Sequence, residues 1–226
     1  MMHYINLGLI FVAGLDVGLA ALIYWRNKRS KINLTLALSI VFLATWTLGI
    51  AMFREATTEF SATAWTWVQN TSGAFIVVPF FFFSIYFPYQ TVVLKKWHLV
   101  LVYISLVAVS LVVFFSNAWI KQIHFIPSAN DYDINFWGIA YFNLHFYFYL
   151  ILTFYNLVKK YLVSGGFVRK QLLYTVLASF IIALFGGIFG AIIPLVLLRS
   201  AGPYYLGPYF ALPMILILLR FMYKRD

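Results

Sequence analysis

The sequence contains no cysteine, and only 6 of its 226 residues are acidic. The absence of cysteine excludes a disulfide, a thiolate metal site and a cysteine nucleophile. Charged residues make up only 10% of the chain, whereas a soluble domain usually contains about a quarter. Because 64% of the residues are hydrophobic, the core of a soluble domain of this length could not bury them all. The composition therefore indicates a protein that lies in a lipid bilayer.

The signatures of the common catalytic sites are also absent. The four histidines are far apart and show no paired metal-binding spacing, so we expect no metal site. No serine lies in a GxSxG turn, and no glycine-rich phosphate loop is present. No lysine lies inside an apolar run, which excludes a retinal Schiff base. We expect neither an enzyme nor a bound cofactor.

Seven apolar runs are long enough to cross a bilayer core, which needs roughly 20 helical residues. Their approximate bounds are 5–25, 32–53, 64–87, 97–115, 138–158, 172–198 and 206–223. We therefore predict an all-α polytopic membrane protein, a single seven-transmembrane helix bundle over residues 1–226. The charges around the first run follow it rather than precede it, so we expect that run to remain as a helix and not to be cleaved as a signal peptide.

Basic residues accumulate in alternate gaps between these runs. The gaps after the first, third and fifth runs and the end of the seventh carry Arg26, Lys28, Arg29, Lys31, Lys95, Lys96, Lys159, Lys160, Arg169, Lys170, Arg220, Lys224 and Arg225. The opposite side has only Arg54, Lys121 and Arg199. Excess Lys and Arg mark the cytoplasmic side, which predicts an outer N-terminus, a cytoplasmic C-terminus and a multi-pass protein of the cell (plasma or inner) membrane. The net charge of +10 forms no single basic face, so we expect no nucleic-acid partner.

The sixth run contains small residues and a proline, which weaken a helix. The small residues that recur along it are Ser179, Ala183, Gly186, Gly187, Gly190 and Ala191. Because small residues let helices approach closely in lipid, they predict a packing ridge within the bundle; a homodimer face or a moving helix remain alternatives. Pro194 in this run and Pro79 in the third each remove a backbone hydrogen bond, and both predict kinks.

Polar residues inside the runs are costly in lipid and therefore informative. Asp16 is the one acid within a run, roughly 18 Å deep at 1.5 Å per residue. We interpret it as a hydrogen-bond partner of a neighbouring helix, with a proton path as the alternative. A second set lies at matching depths in the outer half: Trp46, Gln69, Asn70, Tyr141, Asn143 and His145. Aromatic, amide and imidazole groups together favour a cavity for a small amphipathic ligand; the competing interpretation is interfacial anchoring plus interhelical hydrogen bonds.

Several landmarks follow one another in order along the runs. The second run reads "KINLTLALSIVFLATWTLGI", with Asn33 at its start, and the third ends "VVPFFFFSIYFPY". The fifth reads "WGIAYFNLHFYFYLILTFYNLVKKY", Arg169 and Gln171 open the sixth, and the seventh lies in "GPYYLGPYFALPMILILLRFMYKR". In order and spacing, over essentially the whole chain, these landmarks resemble the seven-helix N-terminal region of bacterial histidine kinases.

The resemblance implies a membrane-embedded sensory input module of a two-component system. Such a module senses a small ligand or the state of the membrane and passes the signal to a cytoplasmic signalling domain or protein. In the family, the last helix continues into the cytoplasmic modules. This sequence ends at Asp226, three residues after the seventh run, so we expect no kinase activity from this chain.

Two functions of other classes remain open. A small solute transporter with three, one and three helices would also have seven spans. However, Pro79 and Pro194 do not fall in corresponding helices of its two halves, as repeated halves would predict. A membrane assembly subunit without a sensory role would instead show tight apolar packing, no ligand cavity and a stoichiometric partner.

Overall fold

The computed structural model describes residues 4–89, 94–114, 120–126, 130–188, 205–209 and 215–216. In these ranges the chain forms six long helices and one pair of strands. The helices are α1 (Tyr4–Arg26), α2 (Lys31–Glu55), α3 (Glu59–Tyr86), α4 (Lys96–Phe114), α5 (Phe136–Val163) and α6 (Gly166–Gly187). They overlap the first six apolar runs, which confirms the predominantly helical architecture. The count of seven spans, the single domain and the orientation of the termini remain predictions.

Four of these helices, α1 to α4, are long and apolar enough to cross a membrane by length and composition. Their outward faces carry large apolar side chains without cover, among them Phe11, Leu22, Tyr103 and Ile104. In water such surfaces would aggregate, whereas lipid tails solvate them. The pattern of exposure therefore supports the membrane assignment made from composition.

Short polar turns with capping side chains separate the first three helices. The Ser30 side chain accepts a hydrogen bond from the Asn33 backbone N–H, and Thr58 and Ser61 form a capping box at the start of α3. These caps satisfy N–H groups that a helix leaves unpaired in its first turn. Because the turns are short, α1, α2 and α3 are antiparallel neighbours along the chain.

The alternation of the helices gives the bundle two ends. One, called here the basic end, contains the α1–α2 turn, the end of α3 and the α5–α6 turn. There Asn33 Nδ2 donates to the Ile23 carbonyl at 2.9 Å, and Lys160 Nζ donates to the carbonyls of Ser84, Ile85 and Phe87. The lysine thus serves the last carbonyls of α3, which have no partner within their own helix.

The other end contains the α2–α3 turn and a β-hairpin, and is called here the hairpin end. The strands are β1 (Ile120–His124) and β2 (Asp131–Ile134), paired antiparallel with Ile123 opposite Tyr132. The sequence prediction had no strand in this loop. The two faces of the hairpin have different environments: Tyr132 points into the protein and is buried, while Asp133 beside it contacts His124 at 3.2 Å on the exposed side.

The described part of α6 contains four of the six small residues of the predicted ridge. Ser179 is buried, and its hydroxyl donates to the Thr175 carbonyl of its own helix. Three further members, Ala183, Gly186 and Gly187, lie within α6. The rest of the ridge and the second kink fall outside the described residues: Gly190, Ala191 and Pro194. In the third run, α3 continues through the buried Pro79 from Glu59 to Tyr86.

Candidate functional site

Trp46, on α2, lies where several parts of the hairpin end meet. Its half-buried indole packs along the edges of three separate apolar clusters. A Cβ atom added to Gly207 would lie 2.8 Å from Trp46 Cη2, and one added to Gly73 would lie 3.3 Å from Cδ1. The indole therefore fills the space between α3 and the first residues of the seventh run. Glycine at 207 is what allows it to fit, since any larger residue would collide with a rigid ring.

Gln69 is buried at a close approach of α2 and α3. A Cβ atom on Gly49 of α2 would lie 2.8 Å from Gln69 Cβ, so the two backbones nearly touch there. The Gln69 amide Nε2 donates to the Tyr132 hydroxyl at 3.0 Å, whereas Oε1 has no hydrogen-bond partner among the described residues. A buried amide oxygen without a partner costs free energy on the order of 1–3 kcal/mol. The site thus contains one acceptor that its surroundings leave unused.

Three other predicted residues make contacts of different kinds. Asn70 Nδ2 donates to the Thr66 carbonyl of its own helix at 2.9 Å. His145 Nε2 lies 3.2 Å from the Ala74 carbonyl, so the imidazole of α5 bridges to α3. Asn143 Nδ2 has no partner among the described residues. The His145 contact agrees with the interhelical part of the competing interpretation, and the ligand role of the three residues stays a prediction.

The sixth predicted residue, Tyr141, is 37% exposed on α5. The neighbouring ring of Phe142 turns inward instead, and its Cζ lies near the same position of Gly73 that Trp46 approaches. Phe142 and Trp46 both pack against the apolar cluster that contains Phe53 and Tyr132. The structure therefore places Trp46 and Gln69 around one aromatic cluster, and it adds Phe142 where the sequence had suggested its neighbour.

Two hairpin residues were missed by the sequence analysis. Tyr132 is 1% exposed, and its ring meets Phe53 edge to face at a centroid distance of 5.3 Å. Asn130 Nδ2 donates to the carbonyls of Phe53 and Ala56 at the end of α2, and its own Oδ1 accepts from the Ile126 N–H. The alternation of polar and apolar residues over 131–134 was the available signal. A pattern of that length does not say which helices the buried residue would reach.

A buried arginine forms a second group at this end that sequence reasoning also missed. Arg54 Nε donates to Asn6 Oδ1 at 2.8 Å, and the Asn6 amide donates to Glu55 Oε1. The guanidinium carbon lies 4.8 Å from the centre of the Tyr205 ring. The Tyr209 hydroxyl donates to the Ile5 carbonyl at 3.0 Å. This group therefore ties residues 205–209 to the start of α1 and the end of α2.

Asp16 is fully buried in α1, and neither carboxylate oxygen has a hydrogen-bond partner in the described part of the chain. The predicted hydrogen bond to a neighbouring helix is therefore not made by any described residue, and it stays a prediction. No group of three or more His, Asp or Glu residues that could hold a metal ion occurs among the residues described.

The chain was compared with protein families, curated proteins and solved structures. The family model described as the N-terminal 7TM region of histidine kinase matches residues 9–223, which is nearly the whole chain. No curated protein and no solved structure matches. Together with the apolar helices, the match establishes a multi-pass membrane protein.

Proposed function

Because the chain belongs to the family of N-terminal 7TM regions of histidine kinases, we propose that it senses a small amphipathic ligand at its hairpin end. It would pass that signal to a cytoplasmic signalling domain or protein at its basic end. The cell membrane is the membrane we propose for it, with the hairpin end outside as the positive-inside pattern predicts. Dimer formation through α6 stays a prediction.

The observation that carries this proposal is the position of Trp46. Its indole touches the cluster around Tyr132 on one side and Gly207 on the other. A change in the packing of the cluster must therefore displace the indole or the chain at 207. Since interiors are close-packed, such a shift is passed on rather than absorbed. The seventh run, which starts here, is the segment that leads toward the cytoplasmic partner in the family.

A ligand can bias this arrangement only through different affinities for two conformations. A ligand could hydrogen-bond Oε1 of Gln69 and pack against the Trp46 indole, and each of these contacts could differ between the two conformations. No comparable observation favours the transporter or the assembly subunit.

The test uses a chimera in which residues 1–226 precede the kinase core of a bacterial histidine kinase, reconstituted in proteoliposomes. We expect Trp46→Ala and His145→Ala to change autophosphorylation several-fold at equal membrane insertion. The matched control is Trp137→Ala, because this tryptophan is 78% exposed and is not among the residues that form the cluster or pack against it. Unchanged output in both test variants would contradict the proposal, as would an equal change in the control.

A further inference from the structure

Tyr132 lies in a pocket that is built almost entirely by other elements. It is the bulkiest of the fully buried side chains among the described residues. Its ring packs among Phe53 of α2, Ala62 of α3, Val113 of α4 and Ile139 of α5, and its hydroxyl accepts the hydrogen bond from Gln69. Four helices thus surround one phenol side chain that comes from a surface loop.

Among the described side chains of the hairpin, Tyr132 is the most deeply buried. Lys121 and Gln122 on β1 are exposed, and Ile123 is only half-buried. A two-stranded hairpin by itself is marginally stable at best. Its contacts with the helices include the buried Tyr132, the packing of Ile120 and Ile123 against the edge of the same cluster, and the hydrogen bonds of Asn130 to the end of α2. Tyr132 and Asn130 are the buried residues among these, so the docking of the hairpin depends mainly on the two of them.

Undocking would leave the pocket in place, since the helices form it. The exposed space would be apolar and aromatic, with a single polar group at its end, the Gln69 amide. That amide would then lack a partner for its donor as well as its acceptor, and buried unpaired amides are costly. The molecule that best replaces the Tyr132 side chain has an aromatic ring with a hydroxyl group para to its other substituent.

We propose that this pocket is a binding site for para-substituted phenols and that Tyr132 is its built-in occupant. The ligand binds by displacing Tyr132 and the hairpin with it. The sensory consequence rests on the proposed function, because Trp46 borders the same cluster. The binding itself does not depend on that function, and the two can fail separately.

The experiment measures binding of para-cresol, the side chain of tyrosine, to the full chain in nanodiscs by equilibrium dialysis, with empty nanodiscs subtracted. Apparent affinity scales with the fraction of molecules in which the pocket is free. Asn130→Ala removes two side-chain hydrogen bonds to α2 but leaves the pocket residues unchanged. We expect it to bind about tenfold more tightly than the unmodified chain. Tyr132→Ala should bind more tightly still. Lys121→Ala, on the exposed strand, is the matched control and should bind like the unmodified chain.

Toluene tests the hydroxyl. A site that hydrogen-bonds a hydroxyl rejects the analogue that lacks it, so toluene should bind Tyr132→Ala about tenfold more weakly than para-cresol does. In Tyr132→Ala/Gln69→Leu that preference should disappear.

Three results would overturn the proposal: no binding to any variant, equal binding of the two compounds with Gln69 intact, or Asn130→Ala binding like the unmodified chain. The last would show that the hairpin does not compete with the ligand. If Tyr132→Ala does not fold, the comparison of Asn130→Ala with Lys121→Ala decides the question. Binding in the expected order without any effect of para-cresol on the kinase chimera would overturn only this ligand's sensory role; the proposed function stands or falls on Trp46→Ala and His145→Ala.

Discussion

The contact between Trp46 and Gly207 can be tested by adding a single methyl group. In Gly207→Ala, the new Cβ atom would lie 2.8 Å from Trp46 Cη2 and 3.5 Å from Cζ3. Both atoms belong to a rigid ring, so relief requires movement of the whole indole or of the backbone. Overpacking of this kind typically costs about 1–3 kcal/mol. Alanine gains up to about 1 kcal/mol over glycine where the chain is helical, as it is at 207–209.

The prediction is a coupling between two substitutions. In the unmodified chain, Gly207→Ala should lower the free energy of unfolding by the cost of overpacking minus the gain in helix propensity. In a Trp46→Phe background the distal indole atoms are gone, so the same change should be neutral or slightly stabilising. The difference between the two effects, about 1–3 kcal/mol, is the coupling energy of the contact.

The assay is equilibrium unfolding by SDS in mixed detergent micelles, with all four members of the cycle at one protein concentration. Gly14→Ala is the matched control, because nothing lies within 4 Å of its added Cβ atom. It should give the same small stabilisation in both Trp46 backgrounds. An equal cost of Gly207→Ala with and without the indole would refute the reasoning, and with it the route by which Trp46 is proposed to act on the seventh run.

Three further predictions concern other contacts. Asn6→Ala removes the acceptor of the Arg54 Nε hydrogen bond and should lower the free energy of unfolding by about 1–3 kcal/mol in the same assay. A loss below about 0.5 kcal/mol, on the order of a surface substitution, would contradict a buried role for Asn6. Lys160→Met removes the cation that serves three carbonyls at the end of α3 and should cost about 1.5–3 kcal/mol, against little for the exposed Lys159→Met; similar losses would mean that the carbonyls are otherwise satisfied. Because the chain has no cysteine, Lys121→Cys in intact cells should react with an impermeant maleimide while Gly165→Cys should not, and the reverse pattern would invert the predicted orientation.

The helices were predictable because each carries its own signal. A run of about 20 apolar residues is sufficient to define a span in lipid, whatever its neighbours are. The start of α2 after Ser30 and the basic residues near Lys160 were likewise readable from local sequence. Trp46 and Gln69 stood out because amphipathic and polar side chains are rare within such runs.

The partners of these residues were not predictable from one sequence. Asn6 and Arg54 lie 48 positions apart, and Gln69 and Tyr132 lie 63 apart. Nothing local indicates which pairs will meet, since that depends on how the helices pack. The hairpin was missed for the same reason: its strands are short, and its buried tyrosine is stabilised by four helices rather than by its own loop.

The contacts described at the two ends of the bundle involve different elements. At the basic end, side chains fasten α1 to α2 through Asn33 and α3 to α5 through Lys160. Residues 205–209 are held differently: Tyr205, Gly207 and Tyr209 all contact α1 or α2 at the hairpin end. Displacement of the hairpin would change the packing of the cluster beside Trp46, whereas the contacts of Asn33 and Lys160 at the basic end would stay intact. If the proposed signal passes through Trp46 and Gly207, residues 205–209 move relative to α2 when a ligand binds, so crosslinking Tyr205 to the last turn of α2 should abolish the response of the chimera.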